Sequence, residues 1–140
     1  MSGLPFAASA ALARAAAGLY RSSSFRSPRA ELSKPHWFVP SGDQLALVPA
    51  AREGVSFRRG NAVDPEVLRG APAYDVIFCR NLLIYFDEAR RQRVADALHD
   101  ALRDGGYLCL GHSESMSRIS ARFQVRKFTD AIVYQKAQRS

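Results

Sequence analysis

The sequence predicts an α/β fold, a sheet with crossover helices preceded by a small antiparallel hairpin, and three observations point to it. From Val55 onward, strand-like segments alternate with helical ones. Tyr74-Asp75-Val76-Ile77-Phe78-Cys79 is almost wholly apolar after Asp75, the pattern of a strand covered on both faces. A second apolar run, residues 107–110, follows after a capped helical segment, as a crossover connection requires.

Taken in chain order, residues 9–20 form an alanine-rich amphipathic helix candidate, and residues 21–35 a polar basic loop, with Gly18 and Pro28 as punctuation. Trp37, Phe38 and Val39 and then residues 45–48 flank the turn Pro40-Ser41-Gly42-Asp43-Gln44 and read as a hairpin. Residues 55–58 read as a short first strand of the main sheet. Asp87 is a good N-cap for a helix over about residues 88–103, where Val94, Leu98, Ala101 and Leu102 recur at helical spacing. Gly105-Gly106 is expected to end that helix. Residues 107–110 then form a buried strand, and residues 123–125 and 131–135 an antiparallel hairpin at the sheet edge.

The 140 residues are 47% hydrophobic and 24% charged, enough for one core, which excludes disordered, collagen-like and disulfide-scaffold classes. Twenty Lys and Arg against 13 Asp and Glu give a net charge of +7, so an acidic partner is implied. The excess is uneven: eight basic and three acidic residues in 1–60, twelve and ten in 61–140. A docking surface is therefore expected mainly in the first half. Nucleic-acid binding is suggested by the pI alone, and too few aromatics interleave with the basic stretch to recommend it. Cys79 and Cys109 lie in apolar runs and read as reduced, buried thiols of a cytoplasmic protein. No apolar run reaches the roughly 18 residues of a membrane span. The acid-free first 30 residues resemble a targeting peptide in composition, but an exposed helix followed by a basic loop accounts for the same residues.

In open α/β sheets ligands bind beyond the carboxyl ends of strands. Three such ends carry Gly60-Asn61-Ala62-Val63-Asp64-Pro65, Arg80-Asn81-Leu82-Leu83-Ile84-Tyr85-Phe86 and Gly111-His112-Ser113-Glu114-Ser115. Asn offers donors and an acceptor, and Arg a fixed bidentate fork. For Asn61 or Asn81 taken alone turn chemistry is the better reading, and for Tyr85 a core aromatic with a satisfied hydroxyl; for Arg80 a surface charge and a ligand or carboxylate contact serve equally well. His36, His99 and His112 lack metal-ligand spacing, so no metal site is expected. Ser113 has no nucleophile elbow around it, and its loop reads instead as the lining of a ligand pocket. No Gly-rich strand-to-helix turn completes a cofactor fingerprint.

Residues 74–87 together with Gly105-Gly106-Tyr107-Leu108-Cys109-Leu110-Gly111-His112-Ser113-Glu114-Ser115 closely resemble the CheR-type chemotaxis receptor methyltransferases. The resemblance extends more weakly over nearly the whole chain. It implies a class I, Rossmann-like sheet that binds S-adenosylmethionine and methylates glutamate side chains of a methyl-accepting chemotaxis receptor, a protein-glutamate O-methyltransferase. Carried across by motif, Asn61, Ala62, Arg80 and Asn81 would contact the cofactor, with Ala62 standing where family members usually have Leu. Tyr85 matches the family's tyrosine near the methyl-transfer site and would position the acceptor carboxylate. The hairpin over residues 36–49 matches the small β-subdomain that faces the receptor, and no membrane insertion is implied.

The resemblance also implies that residues 1–140 are the C-terminal part of the catalytic domain. The family's Gly-rich cofactor loop, its arginine near the acceptor and its acidic ribose ligand match nothing in this chain. The sheet is thus expected to be N-terminally truncated, the strand over residues 74–79 to have an unpaired apolar edge, and this fragment to be catalytically incomplete. The alternative is a non-catalytic module that binds receptors through the hairpin and the basic segment.

Overall fold

The computed structural model describes residues 4–70 and 73–138. The chain divides into two compact units, Met1–Arg59 and Gly60–Ser140. The division falls where the charge balance changes.

In the first unit the alanine-rich segment is a helix, α1 (Leu4–Ala17). It stops short of residue 20: the Gly18 N–H closes back onto the Arg14 and Ala15 carbonyls, and Leu19–Tyr20 leaves as a strand, β1. The predicted hairpin is present as β2 (Phe38–Ser41) and β3 (Gln44–Leu47), joined by Gly42-Asp43. Because β1 pairs antiparallel with β3, the hairpin becomes a three-stranded sheet in the order β1-β3-β2.

The loop expected over residues 21–35 is largely helical. A single turn at Ser22–Ser24 precedes α2 (Pro28–Trp37). Ser27 caps this helix by accepting from Ala30 N at 3.1 Å, and Pro28 takes a first-turn position where its missing N–H costs nothing. Phe38 meets Tyr20 and Phe25 edge to face at 5.6 and 4.8 Å, a small aromatic cluster under the hairpin. A short helix, α3 (Pro49–Arg52), follows, and its Arg52 donates to the Ala16 carbonyl.

Residues 55–61 are exposed and irregular, so the strand expected at 55–58 is not formed. Val55-Ser56-Phe57-Arg58 has strand-like alternation, but a strand persists only where a neighbour takes its backbone hydrogen bonds. None of the described strands does so.

The second unit holds a four-stranded sheet in the order β4-β5-β7-β6. Its strands are β4 (Tyr74–Cys79), β5 (Leu102–Leu110), β6 (Phe123–Phe128) and β7 (Ala131–Lys136). β4 and β5 run parallel and are connected through α4 (Glu88–Ala101), while β7 pairs antiparallel with both β5 and β6. The mixed α/β architecture with a parallel crossover and an edge hairpin is that predicted. Asp87 caps α4, its Oδ1 accepting from Arg90 N at 2.9 Å. The buried stripe Val94, Ala95 and Leu98 packs with Cys79, Leu108, Phe123 and Tyr134 in the core.

Two details differ from expectation. α4 ends at Ala101 and Leu102 already belongs to β5, so Gly105-Gly106 lies inside the strand. There the β4–β5 register shifts between Tyr74 and Val76, and Gly105 has φ +76°. A Cβ on Gly106 would lie 2.9 to 3.1 Å from the Arg103, Tyr74 and Asp75 carbonyl oxygens, so the glycine pair serves a bulge, not a helix end. Second, β4 is not covered on both faces. Among the described residues it pairs only with β5, and Val76 and Phe78 are 45% and 74% exposed. The open apolar edge is as expected; the open face reflects the packing of α4 against one side of the sheet alone.

Candidate functional site

At the carboxyl end of β4 the chain turns sharply into residues 80–86, whose single helical turn Leu83–Tyr85 leads into α4. Arg80, Asn81 and Tyr85 are exposed along this loop, and Leu83 anchors it in the core. Asn81 has φ +57°, a left-handed conformation that asparagine tolerates better than other residues with a Cβ. Tyr85 is 78% exposed, which overturns the core-aromatic reading and leaves its ring open to solvent.

Two charged side chains from other elements hold this backbone. Glu114, in the loop after β5, accepts from Asn81 N at 2.8 Å and Gly111 N at 2.9 Å through Oε2. Through Oε1 it accepts from Leu82 N at 3.0 Å and Leu83 N at 2.8 Å. On the other side Arg91 of α4 donates from Nε to the carbonyls of Leu83 and Phe86, at 3.2 and 2.7 Å. The loop's N–H groups thus face a carboxylate and its carbonyls a guanidinium. Burial pushes the Glu114 carboxyl up, but the N–H bonds from Gly111, Asn81, Leu83 and Leu82 outweigh it and hold the group below its ordinary value.

Gly111 is the point of closest approach. A Cβ there would collide with Asn81 Oδ1 and lie 2.9 Å from Glu114 Oε2. Below this contact, burial, reinforced by Glu114, pushes the Cys79 thiol up to about 11, so it is protonated at neutral pH. Burial raises the Cys109 thiol as well, while the Arg80 guanidinium pulls it down; Cys109 is only half-buried, in contrast to the expectation for both cysteines. Both thiols are free.

Asn61 and Ala62 lie on a separate turn. Asn61 Oδ1 accepts from Val63 N at 3.2 Å and its carbonyl accepts from Asp64 N at 2.9 Å, which is turn chemistry. Ala62 packs its side chain against the core and leaves its backbone as the group a ligand could meet. Arg80, Asn81 and Tyr85 therefore share one loop, and Asn61 and Ala62 another. Beside the first loop runs an open groove of about 720 Å³, lined by Leu83, Ile84, Glu88, His112, Ser113 and Arg118, among others. Of the loop over residues 111–115, expected to line a ligand pocket, residues 112–115 border this groove and Gly111 does not, and none of Asn61, Ala62, Arg80, Asn81 and Tyr85 lines it.

Neither Glu114 nor Arg91 was singled out by sequence reasoning. Glu114 had a signal, an acid three residues after the strand-ending Gly111; Arg91 had none, since a basic residue in a helix's first turns is ordinarily solvated.

A family model described as CheR methyltransferase, SAM binding domain, matches residues 7–132. Over 126 residues the chain is 38% identical to chemotaxis protein methyltransferase 2 of Vibrio cholerae, covering 89% of this chain and 43% of that protein. It is 41% identical over 103 residues to the probable biofilm formation methyltransferase WspC of Pseudomonas aeruginosa, covering 73% of this chain and 24% of that protein. To the chemotaxis protein methyltransferase Cher2 of Pseudomonas putida it is 36% identical over 100 residues, covering 71% and 36%. The chain spans less than half the length of these curated relatives.

Proposed function

This chain belongs to the CheR methyltransferases, a family defined by an S-adenosylmethionine-binding domain, and from that premise we propose that it supplies one wall of a site that methylates glutamate side chains of chemotaxis receptors. The observation that carries the reading is the loop after β4. Arg80, Asn81 and Tyr85 stand exposed at a strand's carboxyl end on a backbone whose polar groups are already held by Glu114 and Arg91.

These residues fit a cofactor with a charged amino-acid end and a ribosyl-adenine end. The Arg80 fork and the Asn81 amide can take carboxylate or hydroxyl partners, and the backbone of the Asn61-Ala62 turn can take a polar edge. Bound S-adenosylmethionine supplies an electrophilic methyl on a sulfonium, so the protein needs no nucleophile of its own. Tyr85 would donate its hydroxyl proton in a hydrogen bond to one oxygen of the acceptor carboxylate and leave the other free to attack. The remaining work is alignment and exclusion of water. The proposal calls for a direct measurement of cofactor binding.

Titration with S-adenosylhomocysteine provides it. Saturable binding is expected to weaken in Arg80→Ala and in Asn81→Gly, the latter keeping the left-handed backbone while removing the amide. Binding that neither change affects refutes the site. With a receptor fragment and labelled cofactor, Tyr85→Phe is expected to lower methyl incorporation with little change in cofactor affinity.

A second reading, receptor binding without methyl transfer, draws on the first unit. It is a compact unit of its own, and it exposes Trp37 at the end of α2 and Val39 on the hairpin, beside a basic segment. Receptor capture by the chain with no cofactor binding favours that reading.

A further inference from the structure

We propose that Glu114 is a positioning residue, whose ionised carboxylate holds residues 80–83 in the shape that receives the cofactor. The inference rests on the cofactor reading above and adds the residue that enforces it. Asn81, Leu82 and Leu83 each present an N–H toward the same side chain, and a run of consecutive N–H groups converging on one point is a nest that only an anion satisfies well. In this protein the anion is built in. Gly111 contributes the fourth N–H from the strand β5 exit, so one carboxylate ties the ends of two neighbouring parallel strands together.

The geometry explains two otherwise unrelated features. Asn81 at φ +57° sits in a conformation that costs free energy, and the bonds to Asn81, Leu82 and Leu83 N–H offset it. Gly111 must lack a Cβ because Asn81 Oδ1 and Glu114 Oε2 occupy that space. Each carboxylate oxygen takes two donors, so the isosteric Glu114→Gln turns one acceptor into an NH2 that faces two N–H groups whichever way the amide is flipped. Charge and half of the accepting capacity are lost with no change of volume. Arg80 and Asn81 then project from a loop that has lost its fixed path.

The experiment pairs a binding measurement with a structural one. S-adenosylhomocysteine affinity of the full chain is measured by calorimetry for wild type, Glu114→Gln and Glu114→Asp, alongside circular dichroism and thermal midpoints. In parallel, the amide resonances of Asn81, Leu82, Leu83 and Gly111 are followed against pH in the wild type, a measurement that needs no variant to fold. Other groups can titrate or act on Glu114: Cys79 below it, Glu88 and Arg91 from α4, and His112 and Arg118 around the groove. The Cys79 thiol, held up at about 11, stays protonated through the acid range, and among these groups only Glu114 accepts from all four amides, so a midpoint common to the four reports on it.

Expected are one shared midpoint for the four amides, below the ordinary carboxylate value, and affinity lower by about tenfold or more in Glu114→Gln with an intermediate value in Glu114→Asp. A folded Glu114→Gln that binds as tightly as wild type overturns the positioning role while the cofactor reading stands. If the wild type shows no saturable binding, the cofactor reading falls instead. The amide titration then decides whether Glu114 shapes the loop: a common midpoint upholds that grip, and four unrelated ones overturn it.

Discussion

Gly111, Asn81 and Glu114 meet at distances that leave no slack, so the consequences of changing any one can be stated numerically. Gly111→Ala places a methyl against Asn81 Oδ1 and 3.2 Å from the Asn81 backbone nitrogen. The side-chain oxygen can rotate away, whereas the backbone cannot without breaking its bond to Glu114. Overpacking of this kind costs about 1–3 kcal/mol. Combining it with Asn81→Gly removes the obstructing oxygen and keeps the left-handed backbone. Urea denaturation of the two single variants and the double variant should therefore show the double less destabilised than the sum of the singles. Strict additivity would contradict the contact. Glu114 also ties stability to acid. Its folded-state value lies below its unfolded one, so its contribution is fully present above the unfolded value and is lost as pH falls through the lowered folded value.

Among the elements, α4 bears on the site most directly, because Arg91 in its first turns holds the Leu83–Phe86 carbonyls that carry Tyr85. Its start depends on Asp87, which caps Arg90 N at 2.9 Å. Asp87→Ala should cost about 1 kcal/mol in urea denaturation and should raise hydrogen exchange at residues 83–91 before the rest of the helix. Unchanged exchange there would show that the helix start is set by packing alone. The far end of α4 is tied differently: Arg122, just before β6, reaches Asp96 at 3.2 Å and Asp100 at 2.7 Å. These pairs are largely exposed, so they orient the loop more than they stabilise it. Element boundaries followed local chemistry where caps and periodicity were strong, as at Asp87 and over Val94 to Leu98. They went astray where one residue type serves two purposes: Gly105-Gly106 ends a helix in one context and opens a bulge in another, and only the proximity of the Tyr74 and Asp75 carbonyls decides between them.

For the molecule as a whole, the notable surface is the uncovered side of the second unit's sheet. Phe78 is 74% exposed on a strand whose outer edge has no partner among the described residues. A flat apolar edge of this kind promotes association. Phe78→Lys should lower light scattering and dye binding at high concentration and leave the thermal midpoint within about a degree or two, since surface changes outside packed regions usually fall within ~0.5 kcal/mol. A large drop in the midpoint would mean that Phe78 is packed in solution.

The family, the α/β class, the order of elements from β4 onward and the loop bearing Arg80, Asn81 and Tyr85 were legible in the residues, because each follows from local pattern: hydrophobic periodicity, caps and a long motif. The folded chain was needed for everything that depends on neighbours. Residues 55–58 look like a strand yet are none without a pairing partner; Tyr85 looks like core and stands in solvent. Glu114, 31 to 33 residues from the N–H groups it gathers on the β4 loop, carries as its local signal only its place three residues after Gly111, which does not say what it holds. Its role exists only because parallel pairing of β4 and β5 brings the two strand ends side by side, and a carboxylate between convergent backbone donors acquires its meaning from that geometry.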